Sequence, residues 1–214
     1  MPVFGVLEHL LEYWQELPRP EGQYIPPKAA LTPSDLHELL PRIALLKRHN
    51  RYDVPIRMMG TGSNTHWHNP HIGMNAFDFT SPQMQENTAR LYAAVLDQPC
   101  AALLRKTVDR RSGPADVASL YLPLADTEGK ASYIISCSIY KDRTPLPDIT
   151  DRLILDQQNI RQLEYIDLGY GTPEVIFDRP SPNPVLQSRP NERKWWNRFM
   201  PSAQKDTHHK KLDS

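Results

Sequence analysis

Between residues 100 and 142 the chain carries three apolar runs, AALLRKTVDRR, ADVASLYLPLA and ASYIISCSIYKD, separated only by Ser112-Gly113-Pro114 and Asp126-Thr127-Glu128-Gly129. Runs of this composition bounded by turn formers read as strands, and connections this short join only antiparallel neighbours. A parallel return would need a dozen or more residues. The last run has Tyr133, Ile135, Cys137 and Ile139 on one face and Ser136 and Ser138 on the other. A sheet with one apolar and one mixed face is therefore predicted, and the rest of the chain has to cover it.

The covering elements are legible upstream. Phe4, Leu7, Leu10, Leu11 and Trp14 recur every three or four residues and the stripe stops at Leu17 before Pro18, which predicts an amphipathic helix. Ser34 or Thr32 can cap a short helix limited by Pro41, after which IALLKR reads as a strand. YDVPIRMMG reads as a second strand entered from an edge. Ser81-Pro82 is a cap and first-turn pair, and Met84, Thr88, Leu91 and Val95 follow on one face of a helix ending before Pro99.

The segments between are different. TGSNTHWHNPHIGMNAFDFT is dense in turn formers, and short helical turns there would place Trp67, Ile72 and Phe77 inward. Leu153, Gln157, Ile160, Leu163 and Ile166 have rough helical spacing, which predicts a helix over 150–168, although LEYIDLG also reads as extended. Prolines gather at 18–33 and 173–201, predicting irregular connectors.

Composition removes several classes of function. Twenty-five Lys plus Arg against twenty-five Asp plus Glu give a formal charge of zero, so no general attraction to nucleic acid or acidic lipid is expected. Two cysteines outside any CxxC spacing exclude a disulfide scaffold and fit a reducing compartment. The N-terminus has no basic n-region, and no run of about 18 apolar residues occurs, so a cytoplasmic protein without a transmembrane segment is expected.

Catalytic signatures are sparse. The nine glycines form neither GxGxxG nor GxxxxGK, and Asp126, Glu128, Asp148 and Asp151 are scattered in turns and linkers rather than paired as acid and base. Cys137 sits in a strand pattern that reads as small core residue rather than nucleophile. His66, His68 and His71 put three imidazoles in six residues and can supply nitrogen ligands to zinc or another borderline metal. A solvated surface loop is the simpler explanation, because neither HExxH nor paired CxxC signatures accompany them. No catalytic residue and no cofactor is assigned.

The order of elements, together with LEYWQEL, YIPPKAALTPSDLHELLPRIALL and YDVPIRMMGT, resembles a stand-alone bacterial PAS-domain family, formerly a domain of unknown function. The residues that carry the resemblance are Tyr13-Trp14 ending the first helix, Leu40-Pro41 before the first strand, and Arg57 with Gly60-Thr61 ending the second. It spans roughly residues 10 to 140 and departs from the family at HWHNPHIGMNAFDF, just after Gly60-Thr61.

The resemblance implies an α+β fold with a PAS-like five-stranded antiparallel sheet and flanking helices. An N-terminal helix and connector (1–31), a core (32–142), a helical or extended linker (143–171) and a proline-rich flexible tail (172–214) follow as the expected organisation. It further implies a sensory or adaptor role without catalytic output, through a small-molecule ligand or a signalling partner. Met58, Trp67, Phe77, Leu91, Val95, Tyr121, Tyr133, Ile135 and Cys137 are the candidates to line a pocket, and the alternative is that they pack together as core. Leu7, Leu11 and Trp14 can either cover the sheet or pair with a second copy in a homodimer, and Trp195 and Trp196 in a basic island can dock a partner. The rival readings are a metal-dependent enzyme centred on the three histidines and a purely structural interaction module.

Overall fold

The structure is a computed structural model that describes residues 5–60, 72–80, 82–110, 114–140 and 153–174, apart from the side chains of 108–110 and 153–159. The described elements are α1 (Gly5–Glu16), β1 (Ile43–Lys47), β2 (Ile56–Met59), α2 (Pro82–Asp97), β3 (Cys100–Arg110), β4 (Ala115–Ala125), β5 (Ala131–Tyr140) and β6 (Leu153–Asp167). The strands form one sheet in the order β2-β1-β5-β4-β3-β6, with every neighbouring pair antiparallel. The meander read from the sequence is β3-β4-β5 at its centre.

Both faces of this sheet are covered, one helix to each. Along β5, Tyr133, Ile135, Cys137 and Ile139 pack toward α1, whereas Ile134 packs toward α2. Along β4, Leu120, Leu122 and Leu124 point to α1 and Tyr121 to α2. The period of two in a strand is what divides each run between two cores.

α1 lies on its sheet face through Leu7, Leu10, Leu11 and Trp14, all at most 3% exposed. Trp14 Nε1 donates to the Pro123 carbonyl at 2.7 Å, which fixes the helix along β4. Tyr13 Oη accepts the Thr32 N–H at 2.8 Å and so ties down the connector. The last turn of α1 contains no cation, yet its carbonyls are not left open. Arg19 folds back to donate to Trp14, Gln15 and Leu17 carbonyls at 2.6–2.9 Å and also holds Tyr24, capping the helix from beyond its end.

Two sequence expectations change. Instead of a short helix before Pro41, residues 33–39 make turns that end in a 3-10 turn, Leu40–Arg42, because proline halts helical bonding there. Gly60 packs against that turn so closely that a Cβ would stand 1.8 Å from the Leu40 carbonyl oxygen. Leu40-Pro41 and Gly60, far apart in sequence, are thus one contact.

The helix expected over 150–168 is a strand, the extended one of the two readings, and the sheet has six strands rather than five. β6 pairs with β3 from Arg110↔Leu153 to Cys100↔Asp167, with two shifts of register. An uncovered β3 edge would leave a row of backbone donors and acceptors unpaired, and a second long strand satisfies them. Leu163 and Tyr165 then sit over the α2 side, Ile166 over the α1 side.

Candidate ligand-binding face

The sheet face beneath α2 carries serines and tyrosines among its apolar residues, where the opposite face gathers its polar residues toward the far ends of β3, β4 and β6. The register builds three rows across it: Ala44, Ser136, Tyr121, Ala102 and Tyr165; then Ser138, Ser119, Leu104 and Leu163; then Tyr140, Val117, Lys106 and Ile160. Ser119 and Ser138 face each other with Oγ atoms 2.8 Å apart, and the Tyr121 hydroxyl is bonded to Ser119. Ser136 Oγ reaches the Ala44 carbonyl at 3.5 Å.

A string of rings continues this pattern into α2. Tyr52 meets Phe77 edge-on at 5.5 Å, Phe77 meets Tyr92 at 5.9 Å, and Tyr92 meets Tyr121 at 6.2 Å. Phe77 belongs to a 3-10 turn, Ala76–Phe79, held at its start by Asn75, whose Oδ1 accepts the Phe77 and Val54 N–H groups. Edge-to-face contacts of this kind fix the orientation of the rings relative to one another.

Burial acts on the ionisable groups here. It pushes the Tyr92 and Tyr121 hydroxyls upward, Tyr121 against the opposing effect of Ser119. It lowers the Lys106 ammonium to about 8. Tyr92 is almost fully buried, but Tyr121 and Lys106 are only half-buried by surface exposure. In the three rows Lys106 is the one charged residue.

The nine pocket candidates do not share one site. Phe77, Leu91, Val95 and Tyr121 lie on the α2 side. Ile135 and Cys137, with Met58 and Tyr133 packed against them, lie on the α1 side. Trp67 is outside the described residues, as are His66, His68, His71, Trp195 and Trp196. Leu7, Leu11 and Trp14 take the first of their two expected uses and cover their own sheet.

Sequence reading missed Lys106, Ser119 and Tyr92. A signal was present, since Ser119 and Tyr121 alternate with Leu120 and Leu122 just as Ser136 and Ser138 alternate with Ile135 and Cys137. Only the register places both pairs, and Lys106, on one face.

The thiols are poor nucleophiles. Burial pushes Cys100 and Cys137 up to about 12, and Cys100 Sγ donates to the Ala94 carbonyl at 3.5 Å. No group of three His, Cys, Asp or Glu poised for a metal occurs among the described residues. Nor is any described helix long and apolar enough to cross a membrane.

A separate surface groove of about 480 Å³ opens where the β1–β2 and β4–β5 connections meet the end of α2. Its charges are largely satisfied from within. Arg48 pairs with both carboxylate oxygens of Asp97, and Asp126 accepts the Ser132 hydroxyl and the Glu128 and Lys130 N–H groups.

A PAS domain family model matches residues 5–138, from the start of α1 into β5. The chain belongs to the PAS domain family. No curated protein matches it. The match makes the domain a sensory or interaction module by family and spans every landmark of the resemblance, the Trp14 anchor and the Gly60 contact included. β6 lies beyond its end.

Proposed function

We propose that this PAS domain is a sensory or adaptor protein that holds a small molecule between α2 and the sheet and passes its presence to a signalling partner. One observation carries this reading: the register gathers Ser119, Ser136, Ser138 and Tyr121 on the sheet face beneath α2, where the Tyr52–Phe77–Tyr92–Tyr121 string of rings meets it. Rings edged by a few hydroxyls are the usual make-up of a ligand site.

The ligand must favour one arrangement of the fold over another, or it reports nothing. α2 is the element that would respond, since it roofs this face. It is latched at both ends to the β1–β2 connection, by Arg48 to Asp97 and by Arg51 and Tyr52 to Glu86. A ligand that lifts α2 must work against these latches, and their release would alter the surface offered to a partner.

Native mass spectrometry of the full chain purified from its own cell tests the reading. The expected result is a mass excess of one small molecule that disappears on denaturation. Protein that carries no adduct and takes none up from a cell extract would contradict it.

A further inference from the structure

We infer that Tyr24 and Tyr170 form a docking platform for a proline-rich segment, and that its occupant is residues 179–184 of the same chain. Tyr24 is 62% exposed, more than any other large apolar residue among those described, and Tyr170 is 39% exposed. Their rings meet edge-on at 82° with centroids 5.5 Å apart, so the pair presents two flat walls nearly at right angles.

Two tight turns hold these rings in place. Ahead of Tyr24, the Gln23 N–H donates to the Pro20 carbonyl at 3.0 Å. Arg19, which caps α1, also donates through Nε to the Tyr24 carbonyl at 2.8 Å. Around Tyr170, Asp167 Oδ1 accepts the Gly169 and Gly171 N–H groups at 2.7 and 2.8 Å, and Gln98 Nε2 donates to the Tyr170 carbonyl at 3.2 Å. Gly169 and Gly171 have φ of 105° and 79°, a conformation that glycine adopts without strain. Rings fixed in this way lose little freedom on binding, which makes an exposed pair an anchor for a partner. Tyr52 is exposed too, but it is engaged inside the fold by Glu86 and Phe77.

The occupant follows from the chain itself. Arg179-Pro180, Ser181-Pro182 and Asn183-Pro184 are three consecutive X-Pro pairs. This is the composition of polyproline ligands, which set stiff pyrrolidine rings against aromatic walls. Glu174, four residues after Tyr170, lies within about 14 Å of it, and the chain from Glu174 to Pro180 reaches up to about 20 Å. A tether this short raises the effective concentration to the order of millimolar, so a weak contact suffices. Charge favours the same contact. Residues 175–214 hold eight Lys and Arg against four Asp and Glu, so in a chain of zero formal charge the remaining residues are negative by four. Glu21 and Asp167, both exposed, bring that sign to the two turns.

NMR of the full chain with labelled tyrosines tests the inference. Pro180→Ala, Pro182→Ala and Pro184→Ala together should move the ring resonances of Tyr24 and Tyr170 and leave those of Tyr52 in place. A synthetic peptide of residues 178–186 added to that variant should restore both, and the same peptide with its prolines replaced by alanine should bind at least about tenfold more weakly. Adding Tyr170→Ala should abolish peptide binding. Unmoved Tyr24 and Tyr170, equal binding of the two peptides, or binding that survives Tyr170→Ala would overturn the inference. Ring shifts that depend on protein concentration would seat the segment on a second copy and overturn the intramolecular contact.

Discussion

The two faces of the sheet come from the same strands and carry different chemistry. Under α1, Leu120, Leu122, Ile135 and Cys137 are all fully buried and aliphatic or nearly so, locked by the Trp14 bond to Pro123. Under α2, the alternate residues of the same strands are Ser119, Tyr121, Ile134, Ser136 and Ser138. One face is what a close-packed interior demands. The other mixes hydroxyls and rings with Ala102, Leu104 and Ile134 in its core. The difference teaches that one strand can send aliphatic residues to a filled core on one side and hydroxyls and rings to the proposed ligand face on the other.

Substitution should expose that division. Leu120→Ala opens a cavity on the filled face and is expected to cost about 2–5 kcal/mol in denaturant unfolding. Its neighbour Ser119→Ala, on the other face, loses its hydroxyl bonds to Ser138 and Tyr121 and should cost about 1–2 kcal/mol. Similar losses at both positions would erase the distinction.

Alkaline pH gives a smaller, signed effect. Lys106 is held at about 8 against an ordinary 10.5, so the folded chain releases this proton before the unfolded chain does. Its contribution to stability is therefore lowest below pH 8, rises between pH 8 and 10.5, and is level above that. The buried thiols act in the opposite sense. Cys137 holds its proton up to about 12 rather than 9.0, so stability is lost as pH climbs above 9. Subtracting Lys106→Met from wild type isolates the lysine. Wild type should gain on the variant across pH 8 to 10.5, by on the order of 2 kcal/mol for a half-buried group, and a flat difference would show that Lys106 is not desolvated.

Much of the scaffold could be read directly from the chain. The turns at Asp126–Gly129 and the alternation in β5 announce the meander, and the stripe from Leu7 to Trp14 announces α1. β6 was ambiguous because Leu153, Ile160, Leu163 and Ile166 fit a helical period while its real partner, the β3 edge, is a tertiary matter. The site was harder for a related reason. Aromatic and aliphatic candidates were grouped by chemistry, but a strand sends neighbours to opposite faces, so Tyr133, Ile135 and Cys137 went to one core and Tyr121 to the other. Lys106 lies in a run whose preceding residues are all apolar except Arg105, and its face is set only by pairing with Val117 and Ile160.

Xenon tests the central asymmetry most directly, because it enters enclosed apolar space and needs no knowledge of the natural ligand. Methyl NMR of the full chain under xenon should show shifts at Ala102, Leu104 and Ile134, beneath α2, and none at Leu120, Leu122 or Ile135, beneath α1. Shifts under α1, or no shift on either side, would contradict the account.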